Sequence, residues 1–189
     1  SIASGWGNND NWDGDMSEVS IWNQALSQTE IASYMSLSPV GEESGLVGYW
    51  NFNEGEGNVL TDLSGNGNNG TIYGASWSGD VPPAPQEPSP NHSLSFDGVD
   101  DYALVPDLSS SVDNSDITLM GWFKSKTNGE PNLDLEGLFG FRNYPSGDGN
   151  FNALMNWTGW TVTPSIEIYG GIPGNIVLTP DDETWYHIA

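Results

Sequence analysis

Gly45-Leu-Val-Gly-Tyr-Trp-Asn-Phe-Asn-Glu-Gly55, followed by Leu60-Thr-Asp-Leu-Ser-Gly-Asn-Gly-Asn-Asn-Gly70, decides the fold. Leu46, Gly48, Trp50 and Phe52 recur every second residue, so they fall on one face of a β-strand. The strand runs into a loop of glycine and oxygen-bearing side chains. Asp62, Asn66 and Asn68 in that loop suit a calcium ion, which takes six to eight oxygens. The same residues also suit a plain Asx/Gly turn that binds nothing.

Downstream the signal is strand after strand. Ser93–Asp97 and Tyr102–Val105 read as a hairpin around the turn dipeptide Asp97-Gly98. The stretch 117–124, polar only near its ends, reads as a strand buried on both faces. Short apolar runs at 138–141, 153–155, 165–169, 176–178 and 185–189 complete an all-β pattern with Gly/Asn/Asp turns, as in a β-sandwich. The proline-rich stretch 81–92 cannot be a central strand and reads as a surface loop within one domain rather than a linker.

Upstream, residues 1–15 are rich in Gly, Asn and Asp and read as loop. Residues 18–23 alternate as a strand, with Val19 and Ile21 on one face. Ser27-Gln-Thr-Glu30 is a capping box, and Ile31, Tyr34 and Met35 follow at helical spacing. One short helix near the N-terminus is predicted, ended by Pro39 and Gly41.

Composition narrows the partners. Twenty-six acidic residues against three basic ones give a net charge of −23. That excludes nucleic acid and anionic membrane surfaces, which need a basic patch. It also makes bound divalent cations or a salty medium useful against self-repulsion. With no cysteine, disulfides, thiolate metal sites and thiol nucleophiles are excluded. No apolar run is long enough for membrane insertion, and the chain opens with neither signal peptide nor initiator Met, so it reads as an internal piece.

"GLVGYWNFNEGEG…DLSGNGNNGT", "SLSFDGVDDYALVPD" (93–107), "ITLMGWFK" (117–124) and "TWYHIA" (184–189) resemble, in that order, successive strands of laminin-G-like, concanavalin A-like jelly-roll modules. Residues 12–35 are similar to the end of such a module, its last strand and closing helix. The resemblance implies a jelly-roll sandwich in which residues 1–40 are the tail of a preceding repeat and 45–189 the first part of the next. A half sandwich leaves unpaired edges and an open core, so residues 1–40 are expected to pack back onto 45–189, as in a circular permutant. The resemblance further implies an extracellular or cell-surface, non-catalytic adhesion module in a tandem array. Its partners would be a glycan, an extracellular protein or neighbouring repeats. A structural calcium near Asp62, Asn66 and Asn68, with Asp97 contributing, is implied as well.

Other candidates follow from residue chemistry. Trp6, Trp12, Trp157 and Trp160, in loop-like surroundings, are candidate stacking platforms for sugar rings. Asp100-Asp101 and Asp181-Asp182-Glu183 read as solvated charge. Asp134 and Glu136 would share a strand face, as the carboxylate pair of a jelly-roll glycoside hydrolase does at about 5–5.5 Å. Asn132 stands at the third position of that pattern and Pro131 breaks the run, so catalysis is not expected. His187 reads as a packed strand residue, and no Ser/His/Asp pattern is present. A hydrolase fragment and a structural spacer repeat remain the alternatives to a binding module.

Overall fold

The computed structural model describes residues 1–3, 11–83, 90–108, 110–112, 116–126 and 183–189, and the backbone of 135–139, 154–158, 165–169 and 175–177. The elements are β1 (Asp13–Trp22), α1 (Gln28–Tyr34), β2 (Leu46–Trp50), β3 (Val59–Leu60), β4 (Gly70–Tyr73), β5 (Ser76–Ser78) and β6 (Ser93–Asp97). They continue with β7 (Tyr102–Leu104), β8 (Thr118–Ser125), β9 (Leu135–Phe139), β10 (Leu154–Thr158), β11 (Ser165–Tyr169), β12 (Asn175–Val177) and β13 (Tyr186–Ile188). The protein is mostly β, with one short helix, and sandwich-like. No helix among the described residues is long and apolar enough to cross a membrane.

A six-stranded antiparallel sheet runs β13-β8-β1-β6-β5, with β2 also paired to β1. A three-stranded sheet runs β3-β4-β7, and β9 to β12 pair in sequence order. Strand β1 is the hub. Its first half pairs β6, from Asp13↔Asp97 to Met16↔Leu94. Its second half pairs β2, from Val19↔Trp50 to Trp22↔Leu46. Its other edge pairs β8 from Gly14 to Trp22. Residues 1–40 and 45–126 therefore share one sheet and one core. Met16, Val19, Ile21, Leu94, Phe96, Leu119 and Phe123 of the large sheet bury against Leu60, Ile72 and Ala103 of the small one. Strand β8 is buried along nearly its whole length, as its apolar run predicts.

One residue of β1 sets which side chains enter that core. Glu18 has φ 55°. Between Ser17↔Trp122 and Ser20↔Met120, β1 advances three residues while β8 advances two. This is a β-bulge, and it resets the alternation. Met16 faces the core before it, Val19 and Ile21 after it. The Glu18 carboxylate turns to the other face, where the Tyr49 hydroxyl and Ser38 Oγ both donate to it.

Three sequence expectations are corrected. Residues 13–15 are strand, not loop. Gly14 is needed because a Cβ there would lie 2.2 Å from the Lys124 carbonyl oxygen and 2.8 Å from the Trp12 indole nitrogen. Its glycine marks close packing rather than a turn. Second, β6 and β7 form no hairpin, since they belong to different sheets. The Asp97 N–H donates to the Asp101 carboxylate at 3.0 Å rather than to a facing strand, so Asp97-Gly98 becomes a crossing between sheets. Third, Leu46 leaves the face of Gly48 and Trp50. The β1–β2 register shifts at Ile21/Trp22, and Leu46 joins Trp22, Tyr49 and Met120 in a second cluster. The capping box of α1 forms as expected, Ser27 Oγ accepting from Glu30 N and Glu30 reaching back to Ser27 N. Of the stretch 81–92, residues 84–89 lie outside the described residues, and the strands on either side of it pair directly, β5 with β6 and β4 with β7.

The bulge yields a two-arm prediction. Deleting Glu18 leaves Met16, Ser17, Val19, Ser20 and Ile21 in strict alternation, so this variant is expected to keep the fold. Deleting Ser20 sends Ile21 to the wrong face and is expected to abolish cooperative unfolding. Far-UV circular dichroism melts of the two deletions compare them directly.

Candidate functional site

The face of the large sheet turned away from the core has two halves. At one end Trp22, Leu46, Tyr49 and Met120 form an apolar patch, against which Tyr34 of α1 and Leu26 pack. Tyr34 lies 4.8 Å from Trp22, ring centre to ring centre. The helix thus covers that half. The other half is polar, and two rows of side chains cross it. One row passes from Ser76 through Ser95 and Asp15 to Lys124. The next passes from Ser78 through Ser93, Ser17 and Trp122 to His187.

Asp15, 1% exposed, organises the first row. Its carboxylate binds Lys126 Nζ at 2.7 Å and Lys124 Nζ at 3.1 Å. Lys124, 3% exposed, also pairs with Asp80, and with Glu183 at 3.5 Å. Lys126 donates to Ser95 Oγ. Trp185 closes the edge. Its indole N–H donates to Asp80 Oδ1 at 3.0 Å, and its ring lies 5.8 Å from Lys124 Nζ, within cation–π range. In the second row the rings of Trp122 and His187 meet edge-on at 5.2 Å. Ser93 Oγ donates to the Asp80 carbonyl, while Ser17 Oγ is buried with no hydrogen-bond partner among the described residues.

The electrostatics follow from these contacts. Burial works to lower the pKa of Lys124, but hydrogen bonds and charge from Asp80 and Asp15 outweigh it and hold the ammonium above its ordinary range. Burial works to raise that of Asp80, but hydrogen bonds from Lys124 and Trp185, with the charge of both lysines, hold the carboxylate below it. Burial alone pushes the His187 imidazole down to about 4, so it is neutral at pH 7.

The residues singled out in the sequence fall elsewhere. Trp12 is no surface platform. It is fully buried, packed edge-on 6.2 Å from Phe123 of β8 in the main core. Trp6 and Trp160 lie outside the described residues, as do the side chains of Trp157 and Glu136, and Asp134. In the 62–68 loop, Asp62 Oδ1 accepts from the backbone of Tyr49 and Ser64, at 3.0 and 2.9 Å, and Oδ2 from that of Asn68 at 2.8 Å. The side-chain amide of Asn66 donates to the Leu46 and Val47 carbonyls, and that of Asn68 to Val47. These groups fasten the loop to β2, with Asp62 also closing an Asx turn onto Ser64. Asp97 does not join them. It sits with Asp100 and Asp101, one carboxylate oxygen of each lying within 4.8 Å of the others, a group that could hold a metal ion.

Sequence reasoning missed Asp15, Asp80, Lys124, Lys126, Trp122 and Trp185 as a group. One signal was available: two of only three basic residues stand two apart at the end of a buried strand, so both point to one face. No family model, curated protein or solved structure matches the chain.

Two measurements probe this face. Lys124→Met leaves the buried Asp15 with a single cation and should cost about 3 kcal/mol in denaturant unfolding. Lys126→Met removes a third-exposed partner and should cost about 1 kcal/mol. His187 has a folded pKa below its ordinary 6.5, so the unfolded chain takes up its proton first. Its contribution to stability is complete above pH 6.5 and is withdrawn as pH falls towards 4. The ring-proton NMR signal of His187 should titrate near 4, and His187→Asn should remove that part of the pH slope.

Proposed function

We propose that the protein is a non-catalytic binding module that recognises a glycan on the polar half of the large sheet. One observation carries the reading: partly buried indole and imidazole rings, Trp122, Trp185 and His187, stand beside fixed donors and acceptors on one sheet face. A sugar presents the matching surfaces, apolar C–H faces for stacking and hydroxyls for hydrogen bonds. Catalysis has less support. On this face Asp15 is neutralised by two lysines and nearly inaccessible, which suits neither a nucleophile nor a general acid. The resemblance to laminin-G-like modules adds an extracellular or cell-surface setting, adhesion as the role, and a structural calcium as candidate cofactor. An extracellular protein is the second class of partner it implies.

A glycan panel probed with the whole chain tests the reading, with reducing-end release measured in parallel. Binding to a defined subset of glycans, lost in Trp122→Ala and Trp185→Ala while the melting temperature stays near wild type, is expected, with no sugar released. Binding that survives both substitutions removes the sheet face from the proposal. Release of sugar favours the hydrolase, and no binding to any glycan favours a spacer. For calcium, a melting temperature several degrees higher in excess calcium than in chelator is expected. An unchanged temperature withdraws the cofactor.

A further inference from the structure

A second surface lies on the small sheet. Its inward residues Leu60, Ile72 and Ala103 belong to the core. Its outward residues form two rows, Val59–Thr71–Leu104 and Tyr73–Tyr102. Val59, Leu104 and Tyr73 are 52%, 49% and 43% exposed, so these large side chains form one patch rather than scattered contacts. Tyr73 and Tyr102 are stacked, with ring centres 4.7 Å apart and planes 17° from parallel.

The patch is bordered by negative charge. Asp101 directly precedes Tyr102, and its carboxylate lies against the residue that follows Tyr73, since a Cβ on Gly74 would come within 1.8 Å of Asp101 Oδ1. Asp97 and Asp100, both exposed, complete the acidic group. Burial, with the charges of Asp97 and Asp100, pushes the Asp101 carboxyl up, against a backbone hydrogen bond that lowers it. Among the described residues the cations are Lys124 and Lys126, and both are engaged by Asp15 rather than by these carboxylates.

We propose that the outward face of the β3-β4-β7 sheet docks an arginine-bearing segment of a partner protein, its apolar side chains on Val59, Tyr73 and Leu104 and its guanidinium groups against the tyrosine rings and the Asp97–Asp100–Asp101 carboxylates. Charge complementarity selects this occupant. A second copy would bring the same three carboxylates and the same net charge of −23 to the contact. Arginine suits the site better than lysine, because its planar fork both stacks on an aromatic face and pairs with a carboxylate.

The test uses the 189-residue chain and two fluorescent probes of equal charge, Arg-Leu-Arg-Leu-Arg-Leu and Arg-Ser-Arg-Ser-Arg-Ser, followed by anisotropy in chelator. The leucine probe should bind about tenfold more tightly. Tyr73→Thr and Leu104→Thr, which keep strand propensity on a solvent-facing surface, should each remove most of that difference. Asp100→Asn should weaken both probes and flatten the salt dependence. Melting curves identify any variant that unfolds; should Tyr73→Thr do so, Leu104→Thr and Asp100→Asn carry the test. Equal affinity for the two probes, or wild-type affinity in the variants, reduces the effect to bulk charge and overturns the proposal. Displacement of the probe by millimolar calcium at fixed ionic strength gives the carboxylates to a metal and also overturns it. So does self-association by sedimentation that Leu104→Thr abolishes.

Discussion

The sheet depends on the insertion of β1 between strands that lie far from it in sequence. All of its ladders, to β2, β6 and β8, are closed across loops, and none is a tight hairpin. The longest spans about a hundred residues, from Gly14↔Ser125 to Trp22↔Thr118. Loop-closure entropy must be met before any of these pairings contributes, so topology of this kind folds slowly. Without β1, β8 would lose its inner neighbour and β2 and β6 would lose their shared edge. Unpaired backbone groups along that slot would be open to any passing strand.

Given that position, a single residue decides the chemistry of both faces. The bulge at Glu18 divides β1 into a half whose outer side chains are Asp15 and Ser17 and a half whose outer side chains are Ser20 and Trp22. Helix α1 packs on the second half, and on the first Asp15, Ser17 and Lys124 are buried while Trp122, Trp185 and His187 stay partly exposed. The Glu18 carboxyl sits at the division, held by Tyr49 and Ser38, and burial raises its pKa against those two hydrogen bonds. A positive φ in a non-glycine residue costs energy, and here the surrounding ladder fixes it. In return the core receives Val19 rather than a carboxylate.

This explains what the sequence made legible and what it did not. Local signals translated well. Ser27 and Glu30 formed their capping box, Val19 and Ile21 shared a face, and the apolar run of β8 was buried on both sides. These depend on neighbours within a few residues. The failures all turned on a partner distant in sequence. Gly14 looked like loop because the Lys124 carbonyl it approaches is invisible in its own segment. Asp97-Gly98 looked like a hairpin because nothing nearby shows that β6 pairs with β1, where Asp13 faces Asp97. Trp12 looked exposed because its packing partner, Phe123, is 111 positions away. The Asp15 cluster was hidden for the same reason, since it gathers residues from β1 and β8 with Asp80, Glu183 and Trp185.

The distribution of cations then separates the two exposed surfaces. In a chain with 26 acidic groups and three basic ones, both described lysines are gathered on the large sheet. Placing them there sets two cations against Asp15, Asp80 and Glu183 and leaves a polar face whose charge is largely, not fully, compensated. The neutral, hydroxyl-rich ligand proposed for it would add no further charge to that face. Among the described residues, the same allocation leaves no lysine paired with Asp97, Asp100 or Asp101. There a patch of tyrosine, valine and leucine stands beside clustered carboxylates, the combination on which the apolar, positively charged partner was proposed. The two proposed ligands thus differ in chemistry, and the placing of the two described lysines on one sheet is what sets the surfaces apart.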